Sequence, residues 1–176
     1  MNLELLQRIE NSTAHRKSRE DNAHYILNNP ELFPELLQLA FTTDDKNHYK
    51  PCWILELVLE KELHLVAPFL DTFCDKISKY TNESALRSIS KICMFLAQHM
   101  VLTKNQEQKI IESCFDWLIL ENVKVATKAY SIRALFELGK KNDWVYPELK
   151  RILTDDYVKY SAAYKAVARE IVKKIK

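Results

Sequence analysis

The sequence predicts an all-α chain built from stacked antiparallel helix pairs, and three observations carry that prediction. Glycine is nearly missing: 176 residues contain one, Gly139, where average usage of about 7% would supply roughly a dozen. Apolar residues recur at steps of three and four between recognisable caps. The resulting helix pairs echo one another at a period of about 35–40 residues, the spacing of helical-repeat arrays. Since β-hairpins and phosphate-cradling loops draw on glycine for positive φ and close backbone approach, the same scarcity argues against both.

Taken in order, two leading helices at about 3–10 and 13–28 are expected to act as the polar cap that a repeat stack needs at its end. Four helix pairs follow, at about 30–60, 63–100, 104–141 and 143–174. The segments beginning Pro30-Glu31-Leu32, Val66-Ala67-Pro68 and Val145-Tyr146-Pro147 each put a proline in the first turn of an expected helix, where its missing N–H is no loss. Val66, Phe69, Phe73 and Ile77 draw one stripe down a helix over 65–77. Asn82 is expected to cap the next helix, with Ala85, Ile89, Ile92, Cys93 and Leu96 facing inward. Thr103 with Gln106 three residues on predicts a capping box ahead of Ile110, Ile111, Cys114, Phe115 and Leu118. Asn122 is expected to start the following helix, whose core face holds Val125, Ala129, Ile132, Leu135 and Phe136, and Gly139 to let the chain stop.

The second helices align best. Ser88–Ala97 lies over Tyr130–Gly139, which sets Lys91 over Arg133 and Leu96 over Leu138, and the alanine-rich helix 161–171 continues the register with Arg169. Over about residues 30–174 this pattern resembles the HEAT-like and armadillo-like α-α superhelix families. The resemblance implies a right-handed superhelix of antiparallel pairs, and a length of 176 residues, near the usual size of one domain, leads us to expect 1–176 to form one. The sequence departs from the HEAT consensus in a shorter last repeat and in lacking a regular Asp/Arg ladder between repeats.

Composition narrows the setting. The N-terminus carries charge among its leucines, unlike a secretory signal, and no apolar run approaches the roughly 18 residues of a membrane span, so a cytoplasmic protein without membrane contact is expected. Cys52, Cys74, Cys93 and Cys114 fall one to a helix inside apolar stretches without C-x-x-C pairing, which reads as buried free thiols. The net charge of +2 conceals an asymmetry: residues 123–176 hold 13 of the 26 Lys and Arg but six of the 24 Asp and Glu. The last third is a basic end on an acidic body.

Most enzyme classes fail for want of parts. Neither the P-loop nor the dinucleotide fingerprint occurs, nor do H-E-x-x-H and G-x-S-x-G. No serine-bearing signature loop of the fumarase type is present. Glu20 and Asp21 stand at helical spacing from His24, but a diiron bundle needs two Glu-x-x-His helices with further glutamates, and one Asp-based pair does not supply them. No catalytic, cofactor or metal-ligating set is therefore expected.

HEAT-like folds also include bacterial alkylpurine DNA glycosylases, which hold duplex DNA in a basic groove and use an Asp beside tryptophans. Here Asp116-Trp117, Trp53 and Trp144 stand as counterparts, although neighbours on a helix point about 100° apart, so Asp116 and Trp117 do not readily share a pocket. The second helices carry Arg87, Lys91, Lys128, Arg133, Lys165 and Arg169, which would line the inner surface if second helices face it. This row is the candidate binding surface, centred on 123–176, for a protein or peptide partner in a non-enzymatic scaffold module. A DNA-binding or DNA-repair role is the alternative. Neither the partner nor the oligomeric state is written in the sequence.

Overall fold

The computed structural model describes residues 2–155 and 161–175, and every regular element among them is helical. In chain order these are α1 (Leu3–Glu10), α2 (Arg16–Asn28), α3 (Phe33–Phe41), α4 (Tyr49–Lys61), α5 (Leu70–Lys76), α6 (Glu83–His99), α7 (Lys104–Ile119), α8 (Val125–Gly139), α9 (Val145–Asp155) and α10 (Ala162–Lys174). Single 3₁₀ stretches precede α3 at Pro30–Leu32 and flank α5 at Leu63–Phe69 and Ile77–Lys79. The chain divides into two compact units, Met1–Ile92 and Cys93–Lys176, and the division falls within α6.

In the N-terminal unit, Asn2 caps α1 by accepting from the Leu5 amide at 3.0 Å. The second helices α2 and α4 lie side by side, and α3 packs on α4. Ile26, Leu36, Ile54, Leu55, Phe73, Ile77 and Ile89 are fully buried, and removing each such side chain from water stabilises the fold by roughly 1.5–3 kcal/mol. The carbonyl of Ala40, in the last turn of α3, has no helical partner of its own. It accepts from the Tyr80 hydroxyl at 2.8 Å and lies 3.9 Å from the Cys52 thiol, so a helix end inside the core is satisfied by side chains. Burial pushes the Cys52 thiol well above its ordinary range, leaving it a small apolar filler.

The expected helix over 65–77 takes a different form. Leu63–Phe69 is 3₁₀ with Pro68 inside it, α-geometry begins at Leu70, and Ile77–Lys79 closes as 3₁₀ again. Pro68 has no N–H to give and its ring crowds the preceding turn, so the α-ladder cannot run through it. The stripe still serves packing: Val66, Phe73 and Ile77 are buried and Phe69 is half-buried against Phe33.

In the C-terminal unit, α7 lies along α8, which also packs on α9 and α10. Back in the N-terminal unit, Asn82 does accept from the Ser84 and Ala85 amides at the head of α6. The Thr103–Gln106 capping box is complete, each side chain meeting the other's backbone amide. Asn122, however, lies two residues short of the cap of α8: that place is taken by Lys124, whose side chain makes no capping bond.

Gly139 is the last residue of α8 and its φ is not positive, so it does not end the helix by a left-handed cap. Its reason is contact. A Cβ built there would overlap Cε1 and Cδ1 of Tyr146, a ring stacked on Phe136 with its hydroxyl donating to the Phe136 carbonyl at 3.0 Å. All four cysteines are buried and free, and burial pushes the Cys114 thiol up to about 12.

Candidate interaction surface

The basic residues of the second helices are brought up against carboxylates and carbonyls. In the N-terminal unit Glu56 of α4 is buried, with 2% of its side chain exposed. Its Oε2 accepts from Arg87 at 2.9 Å and from the Ser88 hydroxyl at 2.6 Å. Its Oε1 lies 3.1 Å from Lys91 Nζ, which also reaches Glu60 at 3.2 Å. Burial works against the Lys91 charge, but the attraction of Glu56 and the bonds to Glu56 and Glu60 outweigh it, so the ammonium is held above its ordinary value. Two cations, a hydroxyl and two carboxylates thus join α4 to α6.

In the C-terminal unit Arg133 of α8 donates to Glu170 of α10 through both terminal guanidinium nitrogens, Nη1 and Nη2, at 3.4 and 2.9 Å. Lys174 reaches the same carboxylate at 2.7 Å. Its bonds to Lys174 and Arg133 hold the Glu170 carboxyl below the usual carboxylate range. These pairs between successive second helices form ionic rungs built from Glu with Arg or Lys, where the sequence suggested no regular ladder of Asp with Arg.

Lys128 is not a surface residue. It is 1% exposed, and its ammonium donates to the carbonyls of Leu118 at 2.6 Å and Leu120 at 2.5 Å. Those oxygens belong to the C-terminal turn of α7, where carbonyls lack helical partners and the helix dipole favours a cation. Lys128 therefore caps a neighbouring helix from inside the core. Lys165 is half-buried, and Arg169 is exposed, its Nε 3.3 Å from the Lys165 carbonyl. Of the six second-helix cations, Arg169 stands most clearly toward solvent.

Sequence reasoning missed the opposite sign. Glu56 and Glu60 lie on α4 about one repeat before Arg87 and Lys91, so a search for complementary charges at the repeat spacing would have found them. Between α2 and α4 an open groove of about 420 Å³ is lined by Arg16, Glu20, Ala23, His24, Leu57, Glu60 and Lys61. Its walls carry both charges over an apolar floor. The Glu20, Asp21 and His24 set considered for metal is used here otherwise: Glu20 pairs with Arg16 at 2.7 Å, Asp21 with Lys17 at 3.1 Å, and His24 Nε2 accepts from Lys61 at 3.2 Å.

Asp116 is exposed and Trp117 is 3% exposed in the core; the two diverge as their adjacent positions on α7 require. Trp53 lies in α4, with its ring edge-on to Tyr49 and Arg19 5.8 Å from it. Trp144 precedes α9 and leans on Phe115. Within the C-terminal unit, Asp116 of α7 is exposed while Arg133 of α8 is engaged by Glu170 of α10. Among the described residues no group of three His, Cys, Asp or Glu stands as a metal-binding cluster, and no helix is long and apolar enough to cross a membrane.

Compared with known proteins, the chain matches a family model described as HEAT repeat domain over residues 4–175. The match takes in α1 and α2 as well as the later pairs. No curated protein and no solved structure shows significant similarity to it.

Proposed function

Because the chain belongs to the HEAT repeat domain family, we propose that it is a non-enzymatic interaction module that binds a protein segment along its second helices. One observation carries the reading: three of the six basic residues there, Arg87, Lys91 and Arg133, are neutralised by the protein's own glutamates, and a fourth, Lys128, is buried against backbone carbonyls. Arg87 and Lys91 answer Glu56 and Glu60, and Arg133 answers Glu170. A nucleic acid gains its affinity from free cations that displace counterions from successive phosphates, and cations already paired have little of that to offer. A peptide brings charges of both signs, backbone donors and acceptors, and apolar side chains. The groove between α2 and α4 suits that mixture, with Arg16 and Lys61 beside Glu20 and Glu60 above Leu57.

The test places a photo-crosslinking residue at His24 or Glu60, with Val101, which is 91% exposed and lies away from the groove residues in sequence, as control. The reading expects a discrete protein adduct from the groove positions and none from Val101. It also expects the purified chain to leave heparin and duplex DNA below physiological salt. Groove positions that capture no protein, or retention on duplex DNA that falls steeply with salt only above the physiological range, would overturn it in favour of a DNA-binding role.

A further inference from the structure

The C-terminal unit displays a second surface that the second helices do not account for. On α7 the residues Glu112, Phe115, Asp116 and Ile119 fall at i, i+3, i+4 and i+7, one continuous stripe. The stripe faces outward: Glu112 and Asp116 are exposed, Phe115 is half-buried, and Ile119 is 57% exposed. The Trp144 ring lies against Phe115, centroids 5.8 Å apart, and is itself 48% exposed. Leu120, just past the helix, is 49% exposed. An apolar cluster anchored by Trp and Phe and rimmed by polar groups is the composition of a binding hot spot.

Charge says what covers it. In this unit Glu107, Glu137, Glu148, Asp155 and Glu170 each have a Lys or Arg partner. Among the described residues Glu112, Asp116, Glu121 and Asp143 have no ion pair; Glu112 accepts only from Gln108, at 2.6 Å. Two of these acids are in the stripe, and the others directly follow Leu120 and precede Trp144. The acids left without cations are thus the ones around the exposed aromatics. We propose that this face of α7, with Trp144, docks a basic amphipathic segment of another protein, its apolar side chains on Phe115, Ile119 and Trp144 and its Lys or Arg residues on Glu112 and Asp116. An arginine laid on the Trp144 indole adds cation–π attraction to the ion pairs.

The probe is a labelled synthetic helix of about 18 residues with leucines at helical spacing flanked by arginines, compared with a glutamate version and a scrambled one, and read by fluorescence anisotropy. The intact chain is expected to bind the basic helix, more weakly at high salt, and to ignore the glutamate version. Asp116→Lys and Trp144→Ala should each weaken binding about tenfold. Asp116 is exposed, so its variant tests the face without burdening the core, and unchanged circular dichroism confirms that both variants fold. Equal binding by the scrambled or glutamate helix, or affinities that neither variant changes, would overturn the proposal. So would concentration-dependent self-association abolished by Asp116→Lys, since the occupant would then be a second copy of the chain.

Discussion

Both units bury charged side chains, and Glu56 and Lys128 are answered in opposite ways. In the N-terminal unit the buried charge is an acid, Glu56, and side chains of the next helix answer it: Arg87, Ser88 and Lys91. In the C-terminal unit the base Lys128 is answered instead by backbone carbonyls of the preceding helix. A side-chain answer can be removed by mutation of the partner, whereas a backbone answer lasts as long as the helix that presents it. The first arrangement records which residues face each other in successive repeats; the second records only that a helix ends there. A sequence can keep the Lys128 site with almost any residues at 118 and 120, but it cannot keep Glu56 without its cations.

Substitution separates the two most sharply. Glu56→Ala leaves Arg87 and Lys91 facing each other without their shared counter-charge, and should cost about 4 kcal/mol in urea unfolding. Lys128→Met keeps the volume but strands two carbonyls of α7, and a loss of about 2–3 kcal/mol is expected. Hydrogen exchange should localise it to the C-terminal turn of α7. If Lys128→Met proved neutral, backbone satisfaction would not be what keeps the charge inside.

The units should also respond to pH from opposite ends. Lys91 titrates above its ordinary value in the folded chain, so its contribution is complete below about pH 10.4 and fades as pH rises through the folded value. In the C-terminal unit burial works against the Glu107 charge, but hydrogen bonds from Lys104 and Asn142 prevail and hold the carboxyl below the usual range. Its contribution is complete above about pH 4.3 and lost as pH falls through the lower folded value. Glu107→Gln should flatten the acid limb of a stability profile, and Lys91→Met the alkaline limb. The smallest effect belongs to the Arg133–Glu170 rung, where both side chains are 37% exposed. Glu170→Gln should cost less than about 0.5 kcal/mol at moderate salt and nothing measurable at 1 M salt.

These contrasts mark what the sequence could show. Signals confined to a few neighbouring residues were legible: the Asn82 cap, the Thr103–Gln106 box, the apolar face of α6 and the buried cysteines; the helix-pair period was legible too, whereas on α7 Phe115, expected inside, is half-buried in the outward stripe. The 3₁₀ stretch before α5 was missed because a stripe of three- and four-residue steps fits either helix type until Pro68 is given its full weight. Asn122 failed as a cap because composition does not fix which of several polar residues takes the position before a helix. Lys128 was read as surface because a lysine between Thr127 and Ala129 looks solvated until the end of α7 is known to lie above it. For the second-helix cations, position could be read from the sequence and partnership could not. Position depends on helical phase, whereas partnership depends on a register one repeat away.

The close approach of Gly139 and Tyr146 bears on how this chain could be rebuilt. Helical repeats invite shuffling, in which one pair is excised, duplicated or grafted onto another array. Here the end of α8, the following turn and the start of α9 meet through a missing side chain on one side and a ring pinned by Phe136 on the other. Residues 136–146 would therefore have to travel as a single cassette. A splice within them would join a Cβ to a space already filled, and the natural joints for engineering lie on either side of that corner.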